Sequence, residues 1–206
     1  MGYSVSAHGV PIVTGRFVPV PGVKVLTEDG REVAAGSGEP GLVAVSGEGV
    51  PLGYYHDEAK TASTFRVIDG VRYSIPGDFA SVDADGTVRL LGRGSQCINT
   101  GGEKVYPEEV ELALRSHPDV FDCVVVGVPD DRWGEMVVAL VEAPAGATID
   151  ADALGAHCRA SLAGYKVPKR VLVVDSLQRS PAGKADYTLL RALAAARLQS
   201  GTEVPA

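Results

Sequence analysis

Residues Leu90 to Glu111 read Leu-Leu-Gly-Arg-Gly-Ser-Gln-Cys-Ile-Asn-Thr-Gly-Gly-Glu-Lys-Val-Tyr-Pro-Glu-Glu-Val-Glu, and they divide the 206-residue chain into two textures. A strand pattern ends at Leu91, an Arg and loop glycines follow, and a helix pattern starts at Pro107. Upstream lie short strand-like runs with turn signals and almost no helix. Downstream, helix and strand patterns alternate. The spacing predicts a β-rich portion over 1–94 and a second domain over 95–206.

In the upstream portion, residues 1–20 have no clear period and allow one short strand. Val23–Leu26, the turn Glu28-Asp29-Gly30 and Arg31–Val33 read as a hairpin. Leu42–Val45 is a further strand. Asp57 can cap one or two helical turns in the piece Asp57–Ala62. Phe65–Ile68 with Val71–Ile75, and Phe79–Val82 with Thr87–Leu91, are two more hairpins. Repeated hairpins of this kind predict a small antiparallel barrel or sandwich.

Downstream, Pro107 occupies a first helical turn, where its missing N–H costs nothing, and the helix runs to His117 with Val110, Ala113 and Leu114 inward. Glu108 and Glu109 suit its positive end and Arg115 the other. Val120–Val128, Met136–Val141 and Val171–Val174 are β-branched strands. Asp150 caps a helix with Leu154, Cys158 and Leu162 inward, and Asp186 caps a last helix with Leu189, Leu190 and Leu193 inward. The fold class is α+β: the second domain is a three-stranded sheet with covering helices. Residues 199–206 read as a frayed tail.

Composition narrows the function. Hydrophobic residues make up 45%, enough for a real core, and the net charge of −7 argues against a nucleic-acid surface. No apolar run is long enough to span a bilayer, and the first residues lack a signal-peptide pattern. Cys97, Cys123 and Cys158 are odd in number and widely spaced, which fits reduced thiols in a cytoplasmic setting and no metal site. His8, His56, His117 and His157 are scattered without a partner at a recognisable spacing.

Four groups can carry chemistry, and each has a plainer reading. Asp78, in Pro76-Gly77-Asp78, is either a turn residue or a strand-end carboxylate able to accept two hydrogen bonds from a vicinal diol. Arg93 is either a solvated loop residue or a forked donor to the same diol or a phosphate. Asp78 and Arg93 flank one predicted hairpin, so both can reach one mouth. Asn99 to Lys104 is either a flexible connector or a Gly-Gly loop that lets backbone approach a ligand. Its spacing is not that of a phosphate loop. Lys184, in Arg179-Ser180-Pro181-Ala182-Gly183-Lys184, is either plain exposed charge or a mobile cation for an anionic transition state.

Taken in order, these groups resemble the adenylate-forming superfamily of acyl-CoA synthetases, peptide-synthetase adenylation domains and luciferases. Tyr73 to Asp78 resembles the segment whose Asp holds the AMP ribose. Gly92-Arg93 through Glu111 resembles the hinge motif. Ser180 to Lys184 resembles the motif of the catalytic lysine. Asp130 to Glu135 and Tyr165 to Pro168 are further family-like stretches. The wording Gly-Arg-Gly-Ser-x-Cys-Ile-Asn-Thr-Gly-Gly-Glu-Lys-Val is most similar to actinobacterial fatty-acyl or steroid side-chain CoA ligases. Two positions depart from the usual pattern: Pro76 stands where Thr is usual, and Ser95 stands at a hinge position usually Asp or Lys.

The resemblance implies an ATP-dependent acid-thiol ligase of fatty-acid metabolism, making acyl-AMP and then acyl-CoA. Its substrates would be a fatty or other acyl carboxylate, ATP and CoA. Asp78 and Arg93 would hold the AMP ribose, and Lys184 would be catalytic. Gly101, Gly102, Glu103 and Lys104 would line the CoA path, with Ser95 as the hinge. The phosphate loop and the Thr-Glu segment for ATP and Mg²⁺ are expected upstream of Met1. On that reading the chain needs the amino-terminal portion for activity. A non-catalytic interaction module, or part of a domain loading a carrier protein, are the alternatives.

Overall fold

A computed structural model of the chain describes residues 15–201 and 204–205. The chain separates into two compact units, the first ending at Ser95 and the second starting at Gln96. Most of residues 1–20, and His8 with them, lie outside the described residues.

The first unit contains β1 (Arg16–Phe17), β2 (Val23–Leu26), β3 (Gly41–Ser46), α1 (Glu58–Thr64), β4 (Phe65–Ile68), β5 (Val71–Ser74), β6 (Asp78–Val82) and β7 (Val88–Arg93). They form one seven-stranded sheet in the order β1-β7-β6-β3-β5-β4, with β2 added on β3. Alternation makes its two faces. Val23, Val25, Val43, Ala80 and Val88 pack on one, while Leu26, Ala44, Tyr73 and Ile75 pack on the other.

The sheet is open, which corrects the barrel expectation. β1 and β4 end the order and do not bond to each other. The cause lies in β3. One edge of it pairs with β2, and the opposite edge is shared, with β6 at Gly41 and Leu42 and β5 at Val45 and Ser46. The sheet therefore divides instead of curling shut. The first expected hairpin is correspondingly reduced: its return limb is the single bridge Leu26 to Glu32, and β2 takes β3 as its partner. The other two hairpins form as read. Asp69 (φ 50°) and Gly70 (φ 78°) make the mirror-image turn that suits the strand twist. Asp57 caps α1 by accepting from the Lys60 N–H at 2.9 Å.

The second unit contains β8 (Ile98–Thr100), β9 (Glu103–Val105), α2 (Pro107–Arg115), β10 (Asp122–Asp130), β11 (Gly134–Glu142), α3 (Ala151–Arg159), β12 (Arg170–Val173), α4 (Tyr187–Gln199) and β13 (Val204–Pro205). The three strands read from the sequence are β10, β11 and β12. β11 is central, antiparallel to β10 and parallel to β12. The sheet gains β8, β9 and β13, which are too short to show a period. Val204–Pro205 pairs with Arg170–Val171, so the expected frayed tail is in part a strand.

Both faces of this sheet are covered. Val125, Ala139, Val141 and Val171 pack with Val110 and Leu114 of α2 and with Leu154 and Cys158 of α3. On the other face Val124, Val126, Leu140 and Leu172 pack with Leu190 and Ala194 of α4. That is why Val124 to Val128 is continuously apolar instead of alternating. α3 stops at Arg159, and Leu162 reaches the core from the turn beyond. In α4, Leu189 is 52% exposed, a correction to its expected inward placing; Leu190 and Ala194 take the buried stripe four residues apart. Among the described residues no helix is long and apolar enough to cross a membrane.

Candidate functional site

Asp78 and Arg93 are brought together. Asp78 opens β6, Arg93 closes β7, and the two face each other across the ladder. Arg93 Nε donates to Asp78 Oδ1 at 3.1 Å. Their side chains are 35% and 66% exposed, so the pair lies at an open mouth of the first unit. A carboxylate beside a guanidinium offers acceptors and donors side by side, the set a vicinal diol needs. Ser95 follows in a 3₁₀ turn, Gly94–Gln96, and is exposed.

Gly101 and Gly102 form the two-residue turn of the β8–β9 hairpin, with φ of 59° and 87°. A mirror-image turn with both φ values positive requires such residues. The Gly101 N–H donates to the Trp133 carbonyl at 2.8 Å. A side chain on Gly101 would lie 3.0 Å from the Trp133 ring. The Asn99 N–H donates to the Glu135 carboxylate at 2.8 Å, and Thr100 pairs with Gly134. The Arg132 guanidinium lies over the Trp133 ring, 4.7 Å from its centroid. The connector is therefore a held turn, pinned to the β10–β11 loop, with Glu103 and Lys104 exposed on β9.

Lys184 ends a tight turn before α4. The Gly183 N–H donates to the Ser180 carbonyl at 2.8 Å, and the Lys184 N–H to Ser180 Oγ at 3.1 Å. Arg179, at the base, donates through Nη2 to Asp122 Oδ1 at 2.9 Å. The Lys184 turn is thereby anchored at Asp122, the first residue of β10. The Gly101 turn is anchored at Trp133 and Gly134, beside the last residue of β10. With nine residues in β10, at about 3.3 Å per residue, the two anchors are roughly 26 Å apart along the strand.

Sequence reading missed the group that holds this arrangement. Glu111 is 3% exposed, and its Oε1 accepts from the Val125 N–H at 3.0 Å and from the Tyr187 hydroxyl at 3.1 Å. Its Oε2 accepts from Arg115 Nη2 at 2.7 Å. Arg115 and Arg179 each donate to the Cys123 carbonyl at 3.3 Å. β10 pairs with β11 alone, so its outer edge would otherwise bury open backbone groups. Charged side chains from α2 and the Lys184 turn close that edge. The signal was present in the sequence: Glu111 shares the 107, 110, 114 stripe of α2 with Pro107, Val110 and Leu114, and it has Arg115 four residues on.

The titrations follow from this packing. Burial alone would raise the Asp122 carboxyl. Hydrogen bonds from Arg179 and the Cys123 N–H, with the Arg179 and Arg115 charges, hold it below the ordinary carboxylate range. Burial pushes the Cys123 thiol up to about 12, so it stays protonated at neutral pH. Burial, with the Glu111 charge and hydrogen bond, raises the Tyr187 phenol. Elsewhere, two histidines that are far apart in sequence become neighbours: the His117 and His157 rings are 5.1 Å apart, and His157 Nε2 bonds Ser116 Oγ at 2.7 Å. Among the described residues no group of three or more His, Cys, Asp or Glu side chains is placed to hold a metal ion.

The fold of the second unit has a matching class: residues 109–184 match the AMP-binding enzyme C-terminal domain. The chain belongs to the adenylate-forming, AMP-binding enzyme family and corresponds to its carboxy-terminal portion. It is 54% identical over 187 residues to the medium/long-chain-fatty-acid–CoA/3-oxocholest-4-en-26-oate–CoA ligase of Mycolicibacterium smegmatis, covering 90% of this chain and 34% of that protein. The same identity and coverage, 54%, 90% and 34%, relate it to the 3-oxocholest-4-en-26-oate–CoA ligase of Rhodococcus rhodochrous. Among solved structures, the o-succinylbenzoate CoA synthetase of Bacillus subtilis, in complex with its acyl-adenylate intermediate, superposes with a TM-score of 0.72 at 31% identity, covering 82% of this chain and 33% of that one. The chain thus spans about a third of the length of the curated relatives it matches.

Two predictions test the Glu111 network. Glu111→Ala leaves the Val125 N–H and the Tyr187 hydroxyl without their acceptor, and urea unfolding of the second unit should show a loss of about 3–5 kcal/mol, with Glu111→Gln costing less because its amide oxygen can still accept. Asp122 gives a pH signature. Its folded value lies below the unfolded one of about 3.9, so its contribution is complete above about pH 5 and is lost as pH falls through the folded value. The urea midpoint should fall on acidification below that pH, and Asp122→Asn should flatten that fall; an unchanged acid profile would count against the Asp122 pairing.

Proposed function

We propose that the chain is the carboxy-terminal part of an ATP-dependent acyl-CoA ligase acting on a fatty or steroid side-chain carboxylate. The observation that carries this reading is the placing of the Lys184 and Gly101 turns at opposite ends of β10. One orientation of the second unit can offer one turn to a substrate, and the other turn needs a different orientation. That is the arrangement a two-step reaction uses when one domain serves each step in turn. The relatives named as fatty-acid and 3-oxocholest-4-en-26-oate CoA ligases, and the neighbour bound to an acyl-adenylate, support the substrate class.

In the first step a carboxylate oxygen attacks the α-phosphorus of ATP. The bond to pyrophosphate breaks, and acyl-AMP forms. Negative charge gathers at phosphorus, and the Lys184 ammonium offsets it. Asp78 and Arg93 hold the ribose hydroxyls, the carboxylate accepting and the guanidinium donating. In the second step the CoA thiolate attacks the acyl carbon and AMP leaves. Rotation about Ser95 then presents Gly101, Gly102, Glu103 and Lys104 along the pantetheine path. Mg²⁺ would be held by the nucleotide phosphates and by the amino-terminal portion of the enzyme. Its chemistry is to neutralise phosphate charge.

A chimera tests the assignment: this chain replaces the matching segment of the Mycolicibacterium smegmatis ligase, and the two half-reactions are assayed apart. Lys184→Ala should slow pyrophosphate release by about 10²–10³-fold and leave thioester formation from supplied acyl-AMP intact. Equal loss in both half-reactions refutes the lysine's role. A folded chimera without adenylation favours an interaction module, and transfer to a holo-carrier protein in preference to CoA favours a carrier-loading domain.

A further inference from the structure

We infer that Arg179 is the positioning residue for Lys184, an inference that rests on the adenylation role proposed above for that lysine. The Arg179 guanidinium faces in three directions. Nε and Nη2 donate to the two oxygens of Asp122 at 2.5 and 2.9 Å, a bidentate pair. Nη2 also reaches the Cys123 carbonyl at 3.3 Å, and Nη1 donates to the Gly183 carbonyl at 3.2 Å. One planar group thus joins the first residues of β10 to the residue just before Lys184.

The turn depends on that group for its place. Among the described residues its other hydrogen bonds are internal: Gly183 N–H to Ser180 carbonyl, Ser180 N–H to Lys184 carbonyl, and Lys184 N–H to Ser180 Oγ. Such bonds fix the shape of a turn and leave its position open. Pro181 to Lys184 are exposed, so core packing does not fix the position either. Arg179 does, and its own anchor is firm. Asp122 also accepts from Arg115 Nε at 3.4 Å, and Arg115 is held by buried Glu111. A continuous run of charge-assisted bonds therefore links the α2 core to the backbone beside Lys184.

The arrangement also says what Arg179 is not. Its three guanidinium nitrogens all have acceptors within the second unit. Four of its five N–H donors are engaged in this way, so a bidentate grip on a phosphate would have to break at least one of these bonds. It acts on the reaction through the placing of Lys184, where an error of about 1 Å can cost on the order of 100-fold in rate. A lysine at this position keeps the charge and loses the fork, so it cannot span Asp122 and Gly183 together.

Nuclear relaxation on the 206-residue chain tests the hold directly. In Arg179→Lys the order parameters of the Gly183 and Lys184 amides should fall from about 0.85 to below about 0.6, with Val125 and Leu140 unchanged. Unchanged values at Gly183 and Lys184 overturn the inference. Loss of the folded Val125 and Leu140 signals in both Arg179→Lys and Arg179→Gln would make Arg179 a determinant of the fold, and overturns it as well. In the chimera, Arg179→Lys should lower the adenylation kcat by about 10–100-fold, with KM for ATP within about threefold and thioester formation from supplied acyl-AMP unchanged. Equal loss in both half-reactions overturns the positioning role. Lys184→Ala separates the two ideas. If adenylation survives it, the proposed role of the lysine is wrong and the kinetic half of the inference falls too. If adenylation is lost with Lys184→Ala but kept with Arg179→Lys, the positioning role alone falls.

Discussion

An edge strand with a buried outer edge must find partners for its backbone, and in the second unit β10 finds them in side chains. Glu111 accepts from the Val125 N–H, while Arg115 and Arg179 donate to the Cys123 carbonyl. A carboxylate as buried as Glu111 is tolerable only with each oxygen engaged, and here Val125, Tyr187 and Arg115 engage both. α2 and α4 lie on opposite faces of the sheet and meet at this carboxylate. The same group that closes the strand therefore sets the two helices against it, and through Arg115, Asp122 and Arg179 sets the Lys184 turn.

The opposite end of β10 is built differently. There the Gly101 turn is held by backbone, through the Trp133 carbonyl and the Thr100–Gly134 pairing, and by the Glu135 carboxylate on Asn99. One end is held by ion pairs between side chains, and the other chiefly by backbone pairing with one carboxylate added. Under the proposed function this difference has a use. The end that meets a developing negative charge carries the cation on a short exposed turn. The end that lines a narrow path presents glycine backbone with no side chain in the way.

Much of this was legible in the sequence, for reasons that can be named. Long β-branched runs gave β10 and β11, Asp57, Asp150 and Asp186 marked helix starts with their own side chains, and Asp78 and Arg93 were placed at one mouth because a hairpin joins them. That the first sheet stays open was not legible, because closure depends on which edge of β3 each neighbour takes, and local pattern is silent about that. β8, β9 and β13 are two or three residues long and carry no period. Glu111 was passed over because the inward face of the helix was read from its apolar residues Val110, Ala113 and Leu114 alone. Leu189 was counted inward together with Leu190 and Leu193, where the helix has room for Leu190 and partly for Leu193.

The central claim is that the two ends of β10 serve different half-reactions, and the Gly101 end offers the most direct measurement. Gly101 has φ 59°, and a side chain there would press on the Trp133 ring from 3.0 Å. In the chimera with the Mycolicibacterium smegmatis ligase, single-turnover rates of Gly101→Leu should show thioester formation from acyl-AMP slowed by about 100-fold, with pyrophosphate release close to the parent rate. Slowing of both steps alike, or of pyrophosphate release alone, would contradict the account.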